Sequence, residues 1–233
     1  MSKDDNFFIK PTSDIFVVTF LSDPKNEPCL RSIINAVLKD KGEQKPIEQA
    51  IVLNPYSIRN YAVDKQIVVD VRVEAIGCAF NVEIQTCPHP AFRERALFGW
   101  SNSYSSQLPP GSDYKTLKPV VYIVITEFAV ISGVSRVHLL FELREREHRN
   151  CLLSDHIQIH FWQLQELKKG NMEVLKEVSP DMSHWSQFFA FGDKKSEVEM
   201  AALTENDPRI IEAYQEFQRF NSDPATRELA RQR

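Results

Sequence analysis

Two strand-like runs, QIVVDVRVEA at 66–75 and AFNVEIQT at 79–86, stand on either side of Ile76-Gly77. Both are rich in Val, Ile and Phe, residues that fit a pleated, half-buried surface. A short Gly-containing gap between such runs predicts an antiparallel hairpin. A two-residue turn needs positive φ at its centre, which suits Ile76 poorly, so a wider loop is expected. Further on, VVYIVITEFAVI (120–131) is almost unbroken by polar residues and reads as a strand buried on both faces.

The rest of the chain supplies partners for these strands. HLLFEL (138–143) and HIQIHFWQL (156–164) are two further strands around the charged turn REREHRN, and IVLNPY is a short strand closed by Asn54-Pro55. A helix is predicted over 12–21, broken at Asp23-Pro24, and another from Glu27 to Leu38, where Leu30, Ile33, Ile34, Val37 and Leu38 fall on one face. Residues 91–108 read as a helix with Leu97, Trp100, Tyr104 and Leu108 as its apolar stripe, stopped by Pro109-Pro110-Gly111. From 171 the chain is polar and helical at 194–204, 207–220 and 223–233, the last two opening on Asp-Pro. The class is α/β or α+β with a mixed sheet flanked by helices. The expected organisation is a loose polar lead at 1–10, a core at 11–170 and a helical C-terminal extension at 171–233. The extension ends on RELARQR with no stop signal, so the natural protein is expected to continue.

Composition sets the limits. The chain has 233 residues, a prior of one to two domains, and a net charge of −4, so as a whole it is not a basic nucleic-acid clamp. Acidic metal ligands would lower the formal charge of an enzyme that grips DNA locally. No apolar run approaches the roughly 18–20 residues of a membrane span, and MSKDDNFFIKP is no secretory signal. The cysteines Cys29, Cys78, Cys87 and Cys151 form no CxxC pair, which argues for reduced thiols in a cytoplasmic protein and against a structural zinc site. His156 and His160 would share a strand face, but no third ligand accompanies them.

Chemistry concentrates in DVRVEAIGCAFNVEIQ, residues 70–85, where Asp70, Glu83 and Gln85 interrupt apolar strands. Glu83 and Gln85 share a face by strand alternation. A hairpin turning about Ile76-Gly77 sets Asp70 opposite Glu83, with Cβ atoms about 4.5–5.5 Å apart. Two facing carboxylates repel, and a divalent cation is the simplest agent to reconcile them. Alone, the pair also fits a solvated face with basic partners.

In their order, these residues resemble the PD-(D/E)xK nuclease core, and more narrowly the Rpn family of recombination-promoting nucleases, also described as PD-(D/E)xK family transposases. PTSDIFVVTFLSDP resembles the family's opening helix, with Asp14 as its acidic residue, and LNPY precedes the hairpin. Arg95, Gln107, Leu108, Gly111, Tyr114, Leu117, Pro119 and Val120 match the pattern that follows it. CLLSDHIQIHFWQLQEL resembles the later strand pair, and HWSQFF and NDPRIIEAYQEF resemble the C-terminal helices. Val17-Val18 stand where the family usually has Phe-Lys, Gly99 where it usually has an aromatic, and Gln85 in place of the superfamily's lysine.

The resemblance implies metal-assisted phosphodiester hydrolysis on DNA. Asp70 and Glu83 would hold Mg²⁺, or Mn²⁺, with the Ile84 carbonyl as a further ligand. Gln85 would position a water, and Asp14 would complete the metal shell or orient that water; a helix-start cap is the other reading of Asp14. Arg95 and Lys115 are candidates for phosphate contact, with solvated surface positions as the alternative. A homodimer would serve to cut both strands. The alternative function is a nuclease fold that binds DNA or a protein partner without cutting, suggested by Gln85 and Val18.

Overall fold

The structure is a computed structural model that describes residues 7–42, 45–54, 70–75 and 77–231. Expectations for 55–69, including the start of the first hairpin strand, lie outside the described residues.

Helices α1 (Asp14–Ser22) and α2 (Glu27–Asp40) precede the short strand β1 (Ile51–Val52) and the hairpin β2 (Asp70–Ala75) and β3 (Cys78–Gln85). Helix α3 (Phe92–Ser105) leads to β4 (Val120–Thr126), β5 (His138–Phe141) and β6 (Ile157–Gln163). Helices α4 (Gln165–Lys168), α5 (Pro180–Phe191), α6 (Glu197–Leu203), α7 (Pro208–Ser222) and α8 (Pro224–Arg231) complete the chain. Helix starts follow local chemistry. The hydroxyl of Ser179 accepts from the Met182 amide ahead of α5, Ser196 and Glu199 form a capping box at α6, and Asp207 precedes Pro208 at α7.

The described strands form one mixed sheet in the order β1-β2-β3-β4-β6-β5. β1, β2 and β3 pair antiparallel, β3, β4 and β6 parallel, and β5 antiparallel to β6. The hairpin is tighter than expected. Its ladder runs to Ala75 opposite Cys78, and Gly77 (φ 78°) carries the positive φ beside Ile76, which is not described. β4 also ends sooner than its apolar run, at Thr126.

Alternation along β3 and β4 sends side chains to two cores. Phe80, Val82, Ile84, Val121, Ile123 and Ile125 face α1, α2, α5 and α7 in the larger one. Tyr122 and Val124 face α3, with Phe92, Ala96, Ile157, Ile159 and Phe161, in the smaller one. The stretch from 171 is therefore not simply polar: Trp185, Phe188, Phe189 and Phe217, from α5 and α7, lie in the main core. Nor is the described part of the lead loose. Ile9 is 2% exposed, and Asn221 of α7 accepts from its amide at 2.8 Å and donates to its carbonyl at 3.2 Å.

The predicted stripe of α3 holds only in part: Trp100 packs against the smaller core, but Leu97 is turned away from it. Its packed face runs Phe92, Ala96, Gly99 and Ser103, whereas Leu97 is 53% and Phe98 is 73% exposed. Spacing gave the period but not the phase, because apolar residues occur on two faces of this helix.

A buried polar chain ties the β5 edge to the helices. Asp40 Oδ2 meets His138 Nδ1 at 2.8 Å, and His138 Nε2 meets His160 Nδ1 at 2.9 Å. The Ser179 amide donates to Asp40 Oδ1 at 2.6 Å, Lys41 lies 3.0 Å from Asp40, and Gln158 Oε1 lies 3.3 Å from His160 Nε2. Burial and the Lys41 charge push the His138 imidazole below its ordinary pKa, although Asp40 opposes them. Burial and the His138 and Lys41 charges push His160 well below it. Burial raises the Asp40 carboxyl, but bonds from His138, Ser179 and Lys41 outweigh that and hold it at about 2.

Imidazoles kept neutral in the fold take up protons on unfolding below about pH 6.5. Their contribution is therefore fully present above that pH and is lost as the pH falls. Urea denaturation from pH 7 to 5 should show stability dropping, by up to about 1.4 kcal/mol per pH unit for each imidazole that stays neutral. The slope should flatten in His160→Gln.

Candidate active site

Glu83 projects from β3 toward α3 and is 4% exposed. A carboxylate this deep costs several kcal/mol unless its oxygens are satisfied. Arg95 Nη2, from the first turns of α3, donates to Oε1, and the Tyr122 hydroxyl, from the neighbouring strand β4, donates to Oε2 at 2.7 Å. The Arg95 side chain remains about half exposed.

Helix α3 approaches Tyr122 closely because residue 99 is glycine. A Cβ there would stand 2.7 Å from Tyr122 Cζ. Gly99 thus leaves the space that the Tyr122 ring fills. Beside it, Trp100 Nε1 donates to the Val120 carbonyl at 3.1 Å, and Asn81 of β3 donates to Ser103 of α3 at 2.8 Å.

The structure groups some of the residues singled out in the sequence and separates others. Asp70 stands directly opposite Glu83 in the antiparallel ladder, as the hairpin geometry required. Gln85 lies two residues beyond Glu83, half-buried, and its Nε2 donates to the Cys87 carbonyl at 3.0 Å. The Ile84 side chain belongs to the main core, so only the backbone of that residue is left for a role at the site. Arg95 joins Glu83 directly.

Asp14 and Lys115 lie elsewhere. Asp14 opens α1 on the opposite side of the sheet, and its Oδ1 accepts from the Ile15 amide at 2.7 Å. It lines a cavity of about 260 Å³ with Lys10, Thr12, Thr86 and Glu127, at the strand end next to Gln85. Val17 and Val18 are both buried in the core. Lys115 precedes β4, near the end of the sheet where β3 begins, so the strands' length separates it from Gln85. Among the histidines, His156 pairs with the Tyr104 hydroxyl at 2.9 Å while His160 turns to His138, and no group of three or more metal-ligating side chains is found among the described residues.

Three residues here were not given a role from the sequence. Tyr122 and Gly99 looked like core and a departure from pattern. Glu127 is the charge that follows the apolar run of β4, the one local signal it carries. Its carboxylate accepts from Thr12 and Lys168. Burial pushes that carboxyl up, but these bonds and the charges of Lys168 and Lys10 outweigh it and hold the group below its ordinary pKa.

A family model for the PD-(D/E)XK nuclease family transposases matches residues 12–233. The chain belongs to this family, whose nucleases are related to mobile elements. Comparisons with curated proteins and with solved structures each found no match. Among the described residues no helix is long and apolar enough to cross a membrane.

Gly99→Ala tests the packing behind Glu83. In an ordinary helix interior this change gains about 1 kcal/mol. Here it should lose about 1–3 kcal/mol in urea denaturation, because the Tyr122 ring must shift. In a Tyr122→Val background the loss should disappear.

Proposed function

We propose that the chain is an Mg²⁺-dependent DNA endonuclease, with Mn²⁺ able to replace Mg²⁺, acting in DNA recombination or mobile-element movement in the cytoplasm. The observation that carries this reading is the register that sets Asp70 against a buried, held Glu83, two residues before Gln85. Asp70, Glu83, Gln85 and the Ile84 carbonyl offer oxygen donors, the kind that a hard divalent cation takes. Asp70 and Glu83 would hold that cation, with the Ile84 carbonyl beside them. When bound, it would polarise the scissile phosphate and lower the pKa of a bound water.

The chain's own residues supply the rest. Tyr122 fixes the Glu83 carboxylate by its hydrogen bond. Gln85 can orient a water by donating and accepting, but it carries no charge and is no base. Arg95 is placed to contact a phosphate next to Glu83. Asp14 would act from the strand end on the α1 side, and Lys115, at the far end of the strands, would contact only DNA that extends along the sheet. A homodimer would let two such sites cut both strands.

The second reading is a fold that holds DNA or a protein without cutting. It is favoured by the engagement of both Glu83 oxygens within the protein.

The test is nicking of supercoiled plasmid. Wild type with Mg²⁺ should nick, while Glu83→Gln and Asp70→Asn should be slower by roughly a hundredfold or more, since a lost ligand removes several kcal/mol of transition-state stabilisation. Salt-sensitive DNA binding without nicking in Mg²⁺ or Mn²⁺ would establish the second reading instead.

A further inference from the structure

We propose that Arg95 is the resident counter-cation of Glu83, and that a divalent metal entering the site takes its place and frees the guanidinium for the substrate phosphate. The inference rests on the metal-nuclease reading above.

The two partners of Glu83 differ in what they are able to do. Tyr122 is buried, its ring packed under Gly99, so its hydroxyl is fixed on Oε2. Arg95 reaches Oε1 from the rim, with its side chain about half exposed and a path to solvent. Without a metal the guanidinium supplies the positive charge that a buried carboxylate needs. A divalent ion supplies twice that charge in a more compact form. It cannot share Oε1 with Arg95 cheaply, because a +2 and a +1 charge within a few ångströms repel strongly in a partly buried site. Occupancy of Oε1 by one therefore excludes the other.

Displacement gives Arg95 a second task. Its planar fork of N–H donors matches a phosphate as well as it matches a carboxylate. The root of the side chain on α3 keeps it beside the hairpin after release. Metal loading and phosphate capture would thus be coupled through one side chain, with Tyr122 holding Glu83 throughout.

The experiment is titration of the full chain with Mn²⁺ by calorimetry, comparing wild type, Arg95→Gln and Arg95→Lys. Arg95→Gln should bind Mn²⁺ roughly twofold to fivefold more tightly than wild type, the equivalent of one partly exposed charge pair, and Arg95→Lys should stay near wild type. Equal or weaker binding by Arg95→Gln overturns the inference and leaves the metal site standing. No Mn²⁺ binding by any of the three overturns it together with the metal-nuclease reading. A measurement on wild type alone covers the case in which Arg95→Gln fails to fold: the side-chain Nε–H signal of Arg95 in ¹⁵N-labelled protein should shift as Mg²⁺ saturates the site. A signal that stays in place at saturation overturns the inference.

Discussion

A carboxylate buried inside a sheet-and-helix sandwich needs a fixed set of partners, and Glu83 imposes that demand on everything around it. Its oxygens take one donor from β4 and one from α3, so the strand pairing and the helix position must both be right. Leaving either oxygen bare would cost on the order of 1–3 kcal/mol or more. The parallel pairing of β3 with β4 sets Tyr122 two residues along from the level of Glu83. The glycine at 99 then lets α3 come close enough for Arg95 to reach. Packing and electrostatics are not separable here, because the same small residue that admits the tyrosine ring also settles how the charge is satisfied.

The parallel strands impose the next requirement. β3, β4 and β6 are buried on both faces, so each face needs its own cover. Helix α3 covers only part of one face. The other face is larger, and residues distant in sequence close it: α1 and α2 from the start of the chain, α5 and α7 from its second half. Asn221 fastens the chain segment at Ile9 to α7, and the Asp40–His138–His160 chain fastens the β5 edge to α2 and the start of α5. These polar links are buried and satisfied by one another, which specifies position more sharply than apolar contact alone.

What was legible in the sequence follows the range of the forces involved. The hairpin register was legible because alternation and a Gly turn are local, and Asp70 opposite Glu83 followed from them. The parallel core was legible from the continuous apolar run that became β4. The phase of α3 was not. Leu97 and Phe98 look like core residues by type, and only the neighbouring sheet decides that Ala96 and Gly99 face inward. The histidine chain was not legible either, since Asp40 and His138 are nearly a hundred residues apart and meet only through the tertiary fold. Tyr122 belongs to the same class, an ordinary strand residue until the sheet brings it to Glu83, and although Arg95 stood out as a candidate phosphate contact, its pairing with Glu83 was not legible.

The separation of Asp14 from Glu83 has a geometric cause. Successive residues of a strand point to opposite faces, so Glu83 belongs with α3, while Thr86, just past the strand, belongs with α1 and Asp14. The end of β3 therefore stands between two acidic regions. On one side Glu83 is held by a tyrosine and an arginine. On the other, Asp14 and Glu127 line a cavity with Lys10 and Thr12, and Lys168 pairs with Glu127. The Ile15 amide donates to Asp14, and the charges of Lys168 and Lys10 act on Glu127. Any joint action of Asp14 and Glu83 must pass around the strand end at Gln85 and Thr86. On the α3 side the register sets Asp70 across the ladder from Glu83, and Arg95 reaches Glu83 from the rim.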